Sequence, residues 1–202
     1  MGGNLIFFGM PTVLGPIVRL QIQRSSLKTG EKKLRKYDPT PILALDRLLM
    51  GPDGAIAAVH GGHMLDVHHR SHPSGKNDDG LHAISVGFTG HYHAMQARYG
   101  DHMVVGCAGE NIIVDHDGRM SLEDVQGGFV VLSADGRERL RLGRVDVSHP
   151  CKPFSGFAHR YQMVEPEVLK ATLQFLDEGT RGFRVTPESE AELRVGDVLA
   201  VL

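Results

Sequence analysis

Cys151 is the residue of this sequence whose type and neighbours are best suited to chemistry. Pro150 precedes it and Pro153 follows shortly after, so the backbone is expected to be extended and stiff here. His149 and Lys152 flank it, and a nearby cation stabilises a thiolate over a thiol. A thiolate can attack a persulfide, carry a sulfane sulfur or ligate a soft metal. Composition alone also allows a buried structural cysteine.

A second group of candidate residues is the run Gly109, Glu110 and Asn111. Gly109 permits a left-handed turn, and Asn111 can hydrogen-bond neighbouring backbone. Glu110 can either brace the loop or face a pocket. Cys107 is interpreted as core packing. Since the chain has only 2 cysteines, far apart in sequence, it has neither a CxxC motif nor a zinc ribbon, and reduced thiols are expected.

Most of the 12 histidines lie between His60 and His102, which raises the hypothesis of a histidine-ligated metal site. A polar loop accounts for several of them. His91 and His93 are two positions apart on a predicted helix, so they point to different faces and do not easily share a site. A metal enzyme built from this region is kept as a third hypothesis.

The elements that must position these residues are mainly strands, because 25 glycines recur between short apolar runs. Residues 42–50 fit a helix or a strand equally well. Within 139–148 the apolar alternation changes parity at Gly143, which predicts a turn or bulge there. The strands predicted are 17–22, 54–59, 139–148, 193–195 and 198–202.

Two helices are predicted, one over Thr89–Tyr99 and one over Glu165–Glu178, and both are expected to pack on the sheet. Residues 1–14 are expected to be an irregular lead-in, and 69–80 a mobile loop over one end of the sheet. The fold class predicted is mainly β, a closed or partly closed barrel with about two or three peripheral helices. Residues 1–202 are interpreted as a single domain.

The net charge of -2 gives no general reason to bind nucleic acid or an anionic membrane. The basic run 28–36 is expected to be a solvated loop, and Arg181 and Arg184 surface charges. The apolar stretch 5–18 is broken by prolines and is too short to span a bilayer. No secretion signal is recognised, so the cytoplasm is favoured by default. The oligomeric state is left open.

Three separated pieces of the chain resemble the MOSC family, named after the C-terminal domain of molybdenum cofactor sulfurases. Residues 106–114 resemble the family's glycine, Gly-Glu-Asn and strand signature. Residues 140–143, followed by the Pro150-Cys151 segment, resemble a second piece, and 193–199 resemble the closing one. The pieces occur in family order and spacing from about Gly15 to the C-terminus.

The resemblance implies a β-rich, barrel-like fold and a single essential cysteine, which maps onto Cys151. In the family that cysteine is thought to accept sulfur from a pyridoxal-phosphate-dependent cysteine desulfurase. Alternatively, it ligates the molybdenum of a bound molybdopterin in reductases of N-hydroxylated compounds. Such a reductase would need a separate electron-transfer protein, because no flavin or iron-sulfur motif occurs in the sequence.

Asp66 and His68 resemble the family's Gly-Asp-x-x-His-like element, although Leu65 replaces its glycine and the histidine comes one position early. They are second-rank pocket candidates. The residues expected to bind cofactor are His149, Lys152, Glu110, Asn111, Asp66 and His68, with Cys151 as the molybdenum ligand. The alternative hypothesis is a non-catalytic barrel that binds a small ligand or a partner and has a structural cysteine.

Overall fold

Seven strands form a closed barrel in this protein, whose computed structural model describes residues 11–32, 34–75 and 83–202. The barrel strands are β1 (Thr12–Gln23), β8 (Ile84–Phe88), β9 (Ile112–Val114), β10 (Phe129–Leu132), β11 (Glu138–Val147), β12 (Phe183–Pro187) and β14 (Val198–Val201). They follow the order β14-β10-β11-β12-β8-β9-β1, and pairing between β1 and β14 closes the ring. Only β8 and β9 pair in parallel among these strands. The predicted mainly β barrel is confirmed.

Smaller strands flank the barrel. The strand β4 (Ile42–Leu45) extends the barrel sheet by pairing with β1. A second sheet has the order β13-β5-β6-β7, and a short hairpin pairs β2 with β3. These strands are β2 (Lys28–Thr29), β3 (Lys36–Tyr37), β5 (Arg47–Gly51), β6 (Gly54–Val59), β7 (Gly62–Leu65) and β13 (Ala191–Arg194). The ambiguous segment 42–50 therefore forms two strands.

Four helices lie in the described part of the chain: α1 (Thr89–Tyr99), α2 (Leu122–Val125), α3 (Lys152–Ala158) and α4 (Pro166–Leu176). The two predicted helices correspond to α1 and α4. The expectation of an extended backbone after Cys151 is wrong, because α3 begins there. Pro153 lies in its first turn, where a missing N–H removes no helical hydrogen bond.

The first strand begins at Thr12, within the segment expected to be irregular. A register shift against β14 between Val13 and Gly15 allows the strand to continue through Pro16. Residues 1–10 of the predicted lead-in and 76–80 of the predicted loop lie outside the described residues.

The predicted irregularity at Gly143 is confirmed as a register shift between β11 and β12, from Gly143 to Asp146. Within the described ranges, none of the helices has the length and apolarity needed to span a bilayer.

Two apolar clusters form the core. The larger fills the barrel with buried side chains such as Phe88, Phe129 and Phe183. The smaller lies between α1, α3 and the 106–111 segment and includes Tyr37, Tyr92 and Phe154. Because α3 packs against β3 as well, the segment around Cys151 is held close to the Gly-Glu-Asn run.

Candidate functional site

The 106–111 segment is fastened to β1 by two buried glutamines. Gln21 donates from Nε2 to the carbonyl oxygen of Gly106 over 2.8 Å, and Gln23 does the same to Gly109 over 2.8 Å. Gly109 has a φ of +93°, and a Cβ there would lie 2.6 Å from Gln23 Nε2. The sequence interpretation missed both glutamines; their only signal is the polar alternation at the end of the first strand.

Asp66 is a fully buried acceptor beside this segment. It accepts from the backbone N–H groups of Gln23, at 2.7 Å, and His68, at 2.8 Å. His68 Nδ1 also lies 2.9 Å from it, and Asn111 Nδ2 donates to it over 3.2 Å. The structure therefore brings together three of the predicted residues, with Asp66 below the surface and His68 exposed.

Asn111 uses its amide to join two strands. Its Oδ1 accepts from the N–H and the hydroxyl of Ser85 in β8, at 3.0 and 3.1 Å. Its Nδ2 also donates to the carbonyl oxygen of Gln21 in β1 over 3.2 Å. The amide of this buried residue is thus engaged within the protein, which supports the bracing role expected from its residue type.

Glu110 differs from Asn111 because one of its two carboxyl oxygens has no hydrogen-bond partner among the described residues. The residue is only 2% exposed. Tyr92 donates its hydroxyl to Oε2, whereas Oε1 has no hydrogen-bond partner among the described residues. Burial raises the pKa of Glu110 above its ordinary value of 4.5, and Tyr92 and Arg181 act in the opposite direction.

A cleft passes over Glu110. It consists of two adjoining cavities of about 260 Å³ and about 470 Å³, and the larger has a volume typical of small-molecule sites. Both cavities are lined by Gln23, Lys28, His68, Ala108 and Arg181.

The cleft is rich in basic side chains. Glu110 is the only carboxylic residue among its described lining residues. The basic lining residues are Lys28, Arg35, His68, His149, Arg181 and Arg184. Lys28 and Arg35, from the run 28–36, are exposed and also line the cleft, as do the partly buried Arg181 and Arg184. Such a cleft favours an anionic ligand.

Arg181 lies where the two cavities meet. Its Nη2 donates to the carbonyl oxygen of Ala108 over 3.0 Å. Its guanidinium carbon is 4.1 Å from the ring centroid of Phe154 and 6.0 Å from that of Tyr37, both within the range of a cation–π interaction. These contacts hold the charge in place on the cleft wall.

Three buried polar atoms of cleft-lining residues have no hydrogen-bond partner among the residues described: Glu110 Oε1, Arg181 Nε and Arg184 Nε. Buried polar groups in native proteins are nearly always satisfied, so unpartnered ones need an explanation. All three belong to residues that line the smaller cavity.

Cys151 lies beside this cleft and does not line either cavity. It is the N-terminal flanking residue of α3, and its carbonyl oxygen accepts from Ser155 N over 3.0 Å. The side chain is partly buried against the smaller apolar cluster. Tyr37 lines the larger cavity and belongs to the same apolar cluster, and its hydroxyl donates to the carbonyl oxygen of Cys107 over 2.9 Å. Burial is the main cause that raises its pKa.

The two flanking residues of Cys151 differ in position. His149 lines the smaller cavity, is 67% exposed in its side chain, and has Nδ1 2.9 Å from Asp177 Oδ1. Lys152 is exposed at the first position of α3 and lines neither cavity. Its role in binding a cofactor stays a prediction.

The histidines do not assemble into a metal site in the described ranges, where no group of three or more potential ligands occurs. His91 is buried, accepts from Met120 N over 2.9 Å, and has a pKa lowered to about 4, chiefly by burial. His93 is exposed, so the two lie on different faces, as predicted. His82 lies outside the described residues.

Comparisons with known proteins agree with this architecture. A family model described as the MOSC domain matches residues 57–200. The YUAD protein from Bacillus subtilis is similar in structure, with a TM-score of 0.54, 14% identity, and coverage of 92% of this chain and 94% of that one. YiiM from Geobacillus stearothermophilus has a TM-score of 0.54 and 17% identity, over 93% and 74% of the two chains. A search of curated proteins found no match.

Proposed function

The chain belongs to the MOSC domain family, and on this premise we propose that its cleft binds the molybdenum cofactor or serves sulfur transfer, with Cys151 as the reactive sulfur. Either role needs a deprotonated sulfur on a fixed backbone beside a pocket for an anionic ligand. Cys151 precedes the first turn of α3, and the cleft beside it is lined by basic side chains suited to an anionic ligand.

The observation that carries the proposal is the set of unpartnered polar atoms on the cleft wall. Glu110 Oε1, Arg181 Nε and Arg184 Nε are buried and without hydrogen bonds in the described structure. They combine an excess of cationic donors with one carboxyl group. An organic anion with a phosphate and a polar ring system fits this donor set, because phosphate oxygens accept from guanidinium groups and a heterocycle can pair with a carboxyl group.

Each side chain would then have a distinct role. Arg181, Lys28 and Arg35 would hold the phosphate, and Cys151 would supply the sulfur ligand. Arg184 would contribute through Nε, because its Nη2 already pairs with Asp146. His68 and His149 line the same cleft, while Asp66 and Asn111 support it from below. When bound, the cofactor supplies a redox-active metal centre. This chain would position it and exclude competing ligands.

The two versions of the proposal need different partners. As a sulfur carrier, Cys151 would receive sulfur from a pyridoxal-phosphate-dependent cysteine desulfurase. As a reductase of N-hydroxylated compounds, the protein would receive electrons from a separate redox protein. Both versions require that the Cys151 sulfur be accessible, either to the bound cofactor or to the sulfur donor.

One observation favours the alternative of a small-ligand or partner-binding module with a structural cysteine. Cys151 is absent from the lining of both cavities and packs against apolar side chains. In that case the cleft would bind its anionic ligand without any contribution from the sulfur.

Thiol alkylation separates the two candidates. With iodoacetamide in native buffer, Cys151 is expected to react at least about tenfold faster than Cys107. The reason is that Cys107 is only 2% exposed, and its pKa is raised to about 12, chiefly by burial. Rates are measured by mass spectrometry on the single-cysteine variants Cys107→Ala and Cys151→Ser.

Labelling in denaturant is the control, since both thiols are then exposed and should react alike. Equal native rates for the two thiols would favour the structural cysteine.

A further inference from the structure

We propose that Glu110 is kept as a neutral carboxylic acid and donates a hydrogen bond from Oε1 to an acceptor atom of the molecule bound in the cleft. This inference rests on the proposed function and extends it, because it states that the ligand presents an acceptor, such as a ring carbonyl oxygen, at this point. The carboxyl group would thus recognise the ligand by donating a hydrogen bond as a neutral group, within a cleft lined mainly by cations.

The position of the carboxyl group is fixed by two glycines on neighbouring elements. A Cβ on Gly87 in β8 would lie 2.9 Å from Glu110 Oε1, and a Cβ on Gly182 would lie 3.1 Å from its Cγ. Gly182 also has a φ of +78°, which disfavours any other residue there. A side chain at Gly87 would therefore displace the Glu110 carboxyl group, and one at Gly182 would press on its Cγ.

The hydrogen bonds around Tyr92 assign the proton to the free oxygen. Ala108 N donates to the Tyr92 hydroxyl oxygen over 3.2 Å, and that hydroxyl then donates its own hydrogen to Glu110 Oε2. Because Oε2 is the acceptor of this bond, a proton on the carboxyl group belongs on Oε1. Oε1 is the atom that has no partner in the described structure and belongs to a residue lining the cleft.

Burial favours the neutral form of Glu110, whereas the positive charge of Arg181 acts against it. The facing titratable groups are Tyr92, Tyr37 and Cys107, and burial keeps all three uncharged by raising their pKa values. Arg181 is the cation that faces it, but its Nη2 is engaged by Ala108, and no ion pair joins it to Glu110 in the described structure. An ionised carboxylate buried to this extent, with no hydrogen bond to Oε1 from the described residues, would be poorly compensated.

Two variants of Glu110 test whether it donates a hydrogen bond to the ligand. The probe is molybdopterin cofactor released from a purified molybdenum enzyme, and the readout is the fluorescence of the oxidised pterin retained after gel filtration. Glu110→Gln is expected to retain the pterin, because an amide can accept from Tyr92 and donate to the ligand. Glu110→Met is expected to bind at least about tenfold more weakly. Wild-type retention should fall at alkaline pH, and that of Glu110→Gln should not.

The outcomes separate this inference from the proposed function. If Glu110→Gln loses the pterin as Glu110→Met does, the carboxylate is an acceptor and the inference is wrong. If Glu110→Met binds like the wild type, Glu110 does not contact the ligand. Failure of the wild type itself to retain pterin would overturn the cofactor-binding version of the proposed function, and this inference with it. Thermal unfolding checks that each variant is folded.

A measurement on the free protein tests the neutral carboxyl group without any ligand. A raised pKa means that the folded protein binds a proton that the unfolded chain releases, so stability falls as pH rises above the ordinary value of 4.5. The wild type is therefore expected to lose stability relative to Glu110→Gln as pH rises from acid to neutral, in denaturant titrations. A difference that does not change with pH would overturn the neutral form.

Discussion

Replacing Cys151 with serine is expected to abolish the retention of molybdenum by the purified protein, to less than about a tenth of the wild-type content. A serine hydroxyl stays protonated near neutral pH and is a poor ligand for a soft metal, whereas a thiolate is a good one. Serine also cannot carry a sulfane sulfur. The measurement is the molybdenum and pterin content per chain of Cys151→Ser, purified from molybdenum-replete cells.

Cys107 provides the matched control for this prediction. It is the other free cysteine, it is buried in the smaller apolar cluster, and it lines neither cavity. Cys107→Ala should therefore retain the wild-type content of molybdenum and pterin. Equal contents in the wild type and in Cys151→Ser would remove Cys151 from the site.

Replacing Arg181 with glutamine is expected to weaken binding of the cofactor about ten- to hundredfold. Arg181 belongs to both cavities, and its Nε has no partner within the described residues, so a bound anion gains a donor there. The remaining binding should also depend less steeply on salt, because one charge is lost. Affinity is measured by pterin fluorescence over a range of ionic strength.

Loss of packing must be separated from loss of charge in this experiment, since Arg181 also stacks on Phe154. Arg181→Lys keeps the charge and should retain more affinity than Arg181→Gln. Arg137→Gln is the control for a general change of net charge, because Arg137 is 85% exposed and pairs with Asp135. If Arg137→Gln and Arg181→Gln weaken binding equally, the cleft has no specific cationic site.

The fold could be predicted from the sequence where the signal is local. The apolar stripe of α1, together with Gly100 after it, marks the helix, and the parity change at Gly143 marks the bulge in β11. The helix α3 was missed because Pro153 favours an extended backbone as readily as a first helical turn. Neighbouring residues alone do not separate these two outcomes.

The cleft could be predicted only in part. Asp66 and His68 were singled out by their resemblance to a family element, and the structure places His68 Nδ1 2.9 Å from Asp66 Oδ1. Lys28 and Arg181 come from distant segments and meet only after the barrel closes, so no local pattern predicts their proximity. The same holds for Glu110, whose position depends on two glycines far away in sequence.

The account as a whole depends on Cys151 serving the cleft beside it. Intact mass spectrometry of the wild-type protein from molybdenum-replete cells, first in native and then in denaturing solution, tests this most directly. The predicted result is a bound pterin that is released on denaturation, or one added sulfur atom that maps to Cys151. A chain of unmodified mass with no bound pterin would contradict the account.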